Sequence, residues 1–337
     1  MPAEDSSAPL RLSVLDQSVS LAGSSEDAAI RDTLSLAQHC ESLGYQRFWL
    51  SEHHGLPTIV GSAPEILMAA IAARTERIRI GSAGVMLPHY SALKVAEQFR
   101  VLEALAPGRI DLGVGRAPGS DMRTAQALNP NAHAAAELFP QQVRDLQAWT
   151  SLPRHRGITA HPLSPHAPEI WVLGSSDYGA QLAAQFGLPY AFAYFFTDGQ
   201  GAEQAMALYR DNYQPSERHP APQATLCVWA LAADTQEEAL HHALSRERWR
   251  CDRQRGLFRP LQAPSEVAAR GFEPDEWAIV ESMRRKAFVG SAAQVAEKMR
   301  ALAAQYGLDE LVVNTWAYDP GVRRRSYALL ASEFNLT

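Results

Sequence analysis

An α/β fold, a (β/α)8 TIM barrel with loop insertions after strands 4 and 7, is predicted by three features of the sequence. Short apolar runs rich in β-forming residues alternate with longer segments whose apolar residues recur every three to four positions. Eight such pairs fill the chain from end to end. No strands follow one another through tight turns, so the pattern calls for parallel strands joined by helical crossovers. An open, doubly wound sheet would alternate similarly and shares the right-handed crossover; eight consecutive units favour closure.

The first strand is read at Leu10–Leu15, ahead of a helix from about Glu26 to Leu43, with Ser24 or Ser25 to cap it and Gly44 to stop it. Arg47–Leu50 is the second strand. S-A-P-E at Ser62–Glu65 reads as a capping box with an early proline, opening a helix to about Arg74. The third unit pairs Ile78–Val85 with Ser91–Leu105. Ile110–Val114 is the fourth strand, followed by a Gly/Pro/Asn-rich excursion from Gly115 to Asn131 and a helix to about Trp149. Ile170–Leu173 with Asp177–Phe186, and Tyr190–Phe195 with a helix from about Gly201 to Tyr213, are compact fifth and sixth units. The seventh strand, Thr225–Leu231, passes through T-Q-E-E at Thr235–Glu238 into a helix to about Arg250. A polar, Arg-rich, Pro-bearing stretch, Cys251–Lys286, interrupts the pattern. S-A-A-Q at Ser291–Gln294 then caps a helix to Tyr306, Leu311–Asn314 is the eighth strand, and a final helix begins near Val322. The expected organisation is a disordered tail at residues 1–9 and a single domain over 10–337 carrying the 251–286 insertion.

Composition narrows the function classes. With 46% hydrophobic and 20% charged residues, 337 residues provide ample material for a large core. The 31 Lys and Arg against 37 Asp and Glu leave a net charge of -6, with no basic footprint for nucleic acid or anionic lipid. No apolar run approaches the ~18 residues of a membrane span. The acidic start MPAEDSSAPL is unlike an export signal, so a cytoplasmic location is expected. Cys40, Cys227 and Cys251 are widely spaced with no C-x-x-C, which predicts reduced thiols and no thiolate metal site. Lys94, Lys286 and Lys298 all fall in helical segments, disfavouring Schiff-base chemistry.

In a barrel, ligands meet the C-terminal ends of the strands. After strand two stands S-E-H-H, with Glu52, His53 and His54. A histidine here can move protons near neutral pH or simply be hydrogen-bonded in the mouth; a metal reading is weak because neighbouring strand residues face opposite ways and no third ligand is near. After strand three, G-S-A-G-V-M-L-P (Gly81–Pro88) lets a flat ligand approach the backbone, although helix packing explains small residues equally well. After strand four, L-G-V-G-R-A-P-G (Leu112–Gly119) sets Arg116 between small residues, its fork suited to phosphate or carboxylate. The G-x-G-x-x-G dinucleotide fingerprint is not met. After strand five, L-G-S-S-D-Y-G-A (Leu173–Ala180) enters a helix at once. Ser175, Ser176 and free N–H groups there form an anion cradle or a plain N-cap, and Asp177 would oppose a phosphate if it faced inward. Asp16 and Gln17 after strand one contact substrate or shape the mouth, and Trp49, Met86, Tyr90, Phe195 and Trp316 line an apolar pocket or the core. A flat phosphorylated cofactor across adjacent strands fits these parts; so would a phosphosugar, but no strand-end Lys or Glu base is evident.

The chain resembles the bacterial luciferase-like flavin-dependent monooxygenases. F-W-L-S-E-H-H from Phe48, R-I-R-I-G-S-A-G-V-M-L-P, A-E-Q-F-R-V-L-E-A-L-A-P-G-R-I-D-L-G-V-G-R-A-P-G, W-V-L-G-S-S, A-A-Q-F-G-L-P and F-V-G-S-A-A-Q-V-A-E-K-M-R carry the likeness in order. The resemblance implies reduced FMN as co-substrate and dioxygen oxygenating a small organic substrate, a separate reductase as flavin donor, and a homodimer through the second and third helices. It places His53 as the catalytic histidine beside the ring, Ala83-Gly84 at a cis peptide under it, and Gly115, Arg116, Ser175, Ser176 and Tyr178 in cofactor binding. Ser175 and Gly115 depart from residues that some members carry. The excursion 115–131 and the stretch 251–286 are expected to act as lids. The rival readings are a deazaflavin-dependent dehydrogenase on the same barrel and a non-catalytic flavin-binding protein.

Overall fold

A computed structural model describes residues 9–336; the expected tail, residues 1–9, lies outside them apart from Pro9. In chain order the elements are β1 (Arg11–Asp16), α1 (Glu26–Ser42), β2 (Arg47–Leu50), α2 (Pro64–Ala72), β3 (Arg79–Met86), α3 (Ala92–Leu105), β4 (Ile110–Gly115), α4 (Met122–Leu128), α5 (Ala132–Glu137) and α6 (Phe139–Ser151). They continue with β5 (Glu169–Gly174), α7 (Asp177–Phe186), β6 (Tyr190–Phe192), α8 (Tyr194–Thr197), α9 (Ala202–Asp211), β7 (Ala224–Ala233) and α10 (Gln236–Gln254). Last come α11 (Pro264–Arg270), α12 (Pro274–Lys286), β8 (Phe288–Ser291), α13 (Ala292–Tyr306), β9 (Glu310–Asn314) and α14 (Pro320–Glu333).

Eight parallel strands close in the order β1-β2-β3-β4-β5-β6-β7-β9 and back to β1. The closed barrel excludes the open-sheet alternative. Each strand is buried on both faces, which is why the strands read as continuous apolar runs. Val14, Phe48, Ile80, Leu112, Val172, Val228 and Val313 pack outward under the helices. Leu15, Trp49, Trp171, Ala191, Cys227 and Val312 fill the axis.

The N-terminal end of the barrel is closed by charge. Arg47 on β2 reaches Asp111 on β4 (2.9 Å), Glu169 on β5 (2.8 Å) and Glu310 on β9 (3.0 Å). Arg79 on β3 also pairs with Asp111. Ser13 on β1 donates to Glu310, Trp49 Nε1 to Asp111 (2.8 Å) and Trp171 Nε1 to Glu169 (3.0 Å). Burial disfavours the Glu169 anion, but the Arg47 and Arg79 charges outweigh it and hold this carboxyl below the usual range.

The structure departs from the expected elements in four places. The run read as strand six is a strand only over Tyr190–Phe192; its aromatic remainder turns into the short helix α8. The stretch 251–286 is largely helical, and Pro264 and Pro274 each sit in the first turn of a helix, where proline is preorganised and its missing N–H is not needed. A ninth strand, β8, pairs with Ala230–Ala233 of β7 beyond the barrel and was not expected. S-A-P-E forms no capping box: α2 starts at Pro64 with Ala63 as N-cap, leaving Ser62 one residue too early. At Ser291–Gln294 the box is complete, and the Thr235 hydroxyl caps α10.

The three cysteines are buried and unpaired. Among the described residues no helix is long and apolar enough to cross a membrane, and no cluster of His, Cys, Asp or Glu is arranged to hold a metal.

Replacing Arg47 by Met leaves three carboxylates facing one another without their shared cation and is expected to cost about 3–5 kcal/mol at pH 7 by urea unfolding. Because Glu169 is held low in the folded state, its stabilisation is present above its unfolded value of about 4.3 and is lost as pH falls. The Arg47→Met deficit is therefore expected to shrink at pH 4. An equal deficit at both pH values, or one below about 1 kcal/mol, contradicts the cluster's role.

Candidate active site

At the C-terminal rim, the two histidines after β2 have separate fates. Glu52, fully buried, accepts from Met86 N (3.0 Å) and Tyr90 Oη (2.6 Å) and pairs with His54 Nε2 (2.8 Å), fixing His54 in the wall. His53 turns the other way. Its ring Nδ1 lies 3.3 Å from the Gly119 carbonyl and its Nε2 3.5 Å from Gln17 Nε2. The Gln17 amide cannot be reversed, because its Oε1 accepts from Asn314 Nδ2 (2.6 Å) and from the indole N–H of Trp316 (3.1 Å). A carbonyl on one side and an amide NH2 on the other assign His53 the tautomer protonated on Nδ1, with the Nε2 lone pair toward Gln17. Burial pushes the His53 pKa below its ordinary value, keeping the ring neutral near pH 7.

Gln17 thus faces the His53 ring with its amide fixed; the sequence reading left it between contacting substrate and shaping the mouth. Asp16, its neighbour, belongs to the scaffold: it is buried against Arg323 (2.9 Å) and Thr33. Trp49 and Trp316 are core residues with their indole N–H groups occupied.

The floor of the mouth is where β3 and β4 approach too closely for side chains. The Ala83-Gly84 peptide is cis, and the β3/β4 register shifts between Ser82 and Val85. A Cβ on Gly84 would lie 2.5 Å from Leu173 Cδ1 and 2.9 Å from the Gly113 carbonyl, and one on Gly113 would overlap the Ser82 carbonyl. Small residues here are demanded by backbone contact. Ala83 stays partly exposed and, with Leu173 and Phe195, covers the Trp49/Trp171 layer. Gly115 is different: a Cβ there would meet only Met86 Sδ, at an ordinary contact distance of 3.7 Å, so no backbone clash demands a glycine.

Next along the rim, Arg116 is exposed and makes no ion pair or hydrogen bond among the described residues; its guanidinium lies 3.8 Å over the Tyr178 ring. Ser176 is the N-cap residue of α7, but its hydroxyl does not cap the helix, and Ser175 likewise makes no side-chain bond among the described residues. Asp177 is engaged sideways by Gln204 of α9 (2.6 Å). An unpaired guanidinium, two free hydroxyls and uncapped helical N–H groups form a donor set suited to a phosphate. Gly119 joins the two halves, its carbonyl facing His53 while its own Cβ position is crowded by Met86, which pairs with Gly115.

Comparison with known proteins identifies the family. Residues 10–310 match the model of the luciferase-like monooxygenase family. The uncharacterized protein YwcH of Bacillus subtilis (strain 168) is 42% identical, with 96% of this chain and 98% of that protein covered. A luciferase-like monooxygenase of Escherichia coli (strain K12) is 38% identical, with 95% and 96% covered. The solved structure of apo-MsnO8 superposes with a TM-score of 0.91 at 35% identity, covering 97% of this chain and 99% of that one. Two more distant structures share the fold alone. The oxygenating constituent of 3,6-diketocamphane monooxygenase from Pseudomonas putida, in complex with FMN, has a TM-score of 0.69 at 19% identity, with 96% and 97% covered. An F420-dependent secondary alcohol dehydrogenase has a TM-score of 0.68 at 13% identity, with 97% and 99% covered. The chain belongs to the luciferase-like monooxygenase family and is a flavin-dependent oxidoreductase.

Proposed function

We propose that the protein is an FMN-dependent monooxygenase that uses reduced flavin and dioxygen to oxygenate a small organic substrate, with the reduced flavin supplied by a separate reductase. The observation that carries this reading is the unpaired Arg116, stacked on Tyr178 beside the uncapped start of α7 and on the same rim as the flat Ala83-Gly84 floor. In it, Arg116, Ser175 and Ser176 hold the phosphate, Tyr178 fixes the guanidinium, and Ala83, Gly84 and Gly115 leave room for the ring. When bound, reduced flavin supplies the electrons that activate dioxygen. The chain's own residues supply position and proton control. His53 Nε2, held unprotonated by the Gln17 contact, accepts or relays a proton at the ring, and Gln17 keeps the imidazole aimed. The helices α4, α11 and α12 limit water at the mouth. Exposed Ile66 on α2 and Val101 and Leu105 on α3 support a homodimer through these two helices. A cytoplasmic location is part of this reading.

The decisive assay supplies FMN, NADH and a flavin reductase and follows oxygen uptake over aldehyde, terpene, thioether and aromatic substrates. Substrate-dependent uptake is expected, with little NADH oxidation by the protein alone. Preferential binding of F420 over FMN, or FMN binding without oxygen uptake on any substrate, overturns the reading in favour of a dehydrogenase or a flavin carrier.

Arg116→Ala is expected to raise the Kd for FMN about 10- to 100-fold, the loss of charge-assisted hydrogen bonds, while leaving riboflavin binding unchanged. Equal losses for both flavins would place the arginine away from the phosphate.

For His53, NMR titration of the ring is expected to give a pKa below about 6.5. Gln17→Glu, which sets a carboxylate against Nε2, is expected to raise it by about one unit or more. The acid limb of kcat/KM, reflecting loss of the free Nε2 as pH falls, moves up with it. An unmoved limb separates His53 from proton transfer.

A further inference from the structure

One buried cation takes no part in the site described above. Arg246 of α10 is 7% exposed, yet it makes no hydrogen bond or ion pair among the described residues. The other deeply buried arginines are engaged: Arg47, Arg248 and Arg323 pair with carboxylates and Arg100 donates to carbonyls, although Arg248 Nε itself makes no hydrogen bond. The Arg246 guanidinium carbon lies over the Trp229 ring, 4.1 Å from its centroid, a contact that uses none of its N–H groups as hydrogen-bond donors to a polar acceptor. Burial and the neighbouring Arg250 charge, offset only in part by Asp198 and Glu247, bring its pKa down to about 9, and it stays cationic at neutral pH. Trp229 adds a second unpartnered donor, because its buried indole Nε1 also has no hydrogen-bond partner.

Both residues line one cavity of about 240 Å³ between β7, β8, α10, α12 and α13. Its carboxylate, Glu247, is taken by Arg284 through both oxygens (2.7 and 2.8 Å). Lys298 stands at the edge, donating to the Ala287 carbonyl (3.2 Å). The nearby Asp198 and Glu247 charges offset the burial of Arg246 only in part and neither accepts a hydrogen bond from it, so an anion in the cavity would supply the missing acceptor. The link to the mouth is Trp229 itself, which packs in one apolar cluster with Trp316 and Phe195, and Trp316 donates to Gln17 beside His53.

We infer that this cavity is a second anion site, in which Arg246 and the Trp229 N–H bind the carboxylate or sulfonate of an acidic organic substrate, separately from the phosphate grip at Arg116. The inference rests on the monooxygenase reading for the word substrate; the anion site itself does not. Bidentate in-plane contact with the guanidinium orients the anion, and the rest of the molecule extends past Trp229 toward His53. The substrate class is therefore acids of modest size, with neutral analogues bound poorly.

Calorimetric titration of the full-length protein with benzoate and benzamide, with and without saturating FMN, tests this. Benzoate is expected to bind at least about tenfold more tightly than benzamide. Arg246→Met is expected to erase that preference, leave the FMN Kd unchanged and keep or raise Tm, because it removes a buried guanidinium that makes no hydrogen bond among the described residues; a purely structural arginine would lower Tm when replaced. Arg246→Lys keeps part of the preference, and Trp229→Phe, which retains the stacking ring and loses the N–H, weakens benzoate several-fold. Equal binding of benzoate and benzamide, a preference surviving Arg246→Met, or a loss of FMN affinity in that variant overturns the proposal, the last by giving the pocket to the cofactor. Failure of the wild-type protein to bind FMN would sink the flavin reading instead, with the benzoate preference still measurable.

Discussion

A guanidinium sealed inside the narrow end of the barrel sets the terms for everything above it. Arg47 must satisfy Asp111, Glu169 and Glu310 at once, and with Arg79 and Ser13 the network ties together six neighbouring strands, β9 through β5 by way of β1. Such a cluster is poor evidence for net stabilisation, since desolvation offsets much of the attraction. What it does impose is register: a slip of one residue on any of these strands would leave a charge buried without its partner. The Trp49 and Trp171 indoles donate to the same carboxylates and fill the next layer. Chemistry is thereby confined to the other rim, where the interior gives way to part-exposed Ala83, Leu173 and Phe195.

The barrel was legible because its strands are buried on both faces and its helices on one, so the two periodicities differ along the whole chain. The charge cluster was not legible, because Arg47, Arg79, Glu169 and Glu310 stand at strand starts, where a charged residue reads as a boundary. Phe195 shows the opposite error: Y-A-F-A-Y-F is as apolar as a strand, yet the chain turns at Ala193 and winds into α8. Pro264 and Pro274 looked like breakers in a polar stretch, whereas at the first turn of a helix a proline is an opening residue.

At the site, the motif residues were legible by position and their chemistry only by geometry. Ser176 could have been a plain N-cap; the structure leaves its hydroxyl free of the helix. Asp177 could have faced an anion, but Gln204 draws it aside. His53 and His54 are adjacent and chemically identical in the sequence, and what separates them is that Glu52 holds one while Gln17 faces the other. The Gln17 contact depends on Asn314 and Trp316, almost 300 residues away along the chain. No local pattern encodes such a contact.

The two positive poles of the mouth have different origins. Arg116 follows β4, within the repeating β/α units, and its neighbours Ser175, Ser176 and Tyr178 follow β5 in the same way. Arg246 sits over a wall made by departures from the repeat: β7 runs past the barrel rim, β8 extends the sheet from its Ala230–Ala233 segment, and α12 closes the side. The first pole can be supplied by any barrel with the right strand ends. The second exists only where the chain after β7 folds as it does here. A pocket built from inserted elements changes without disturbing the eight-strand core, and so it is the part of the mouth best placed to distinguish one acid from another.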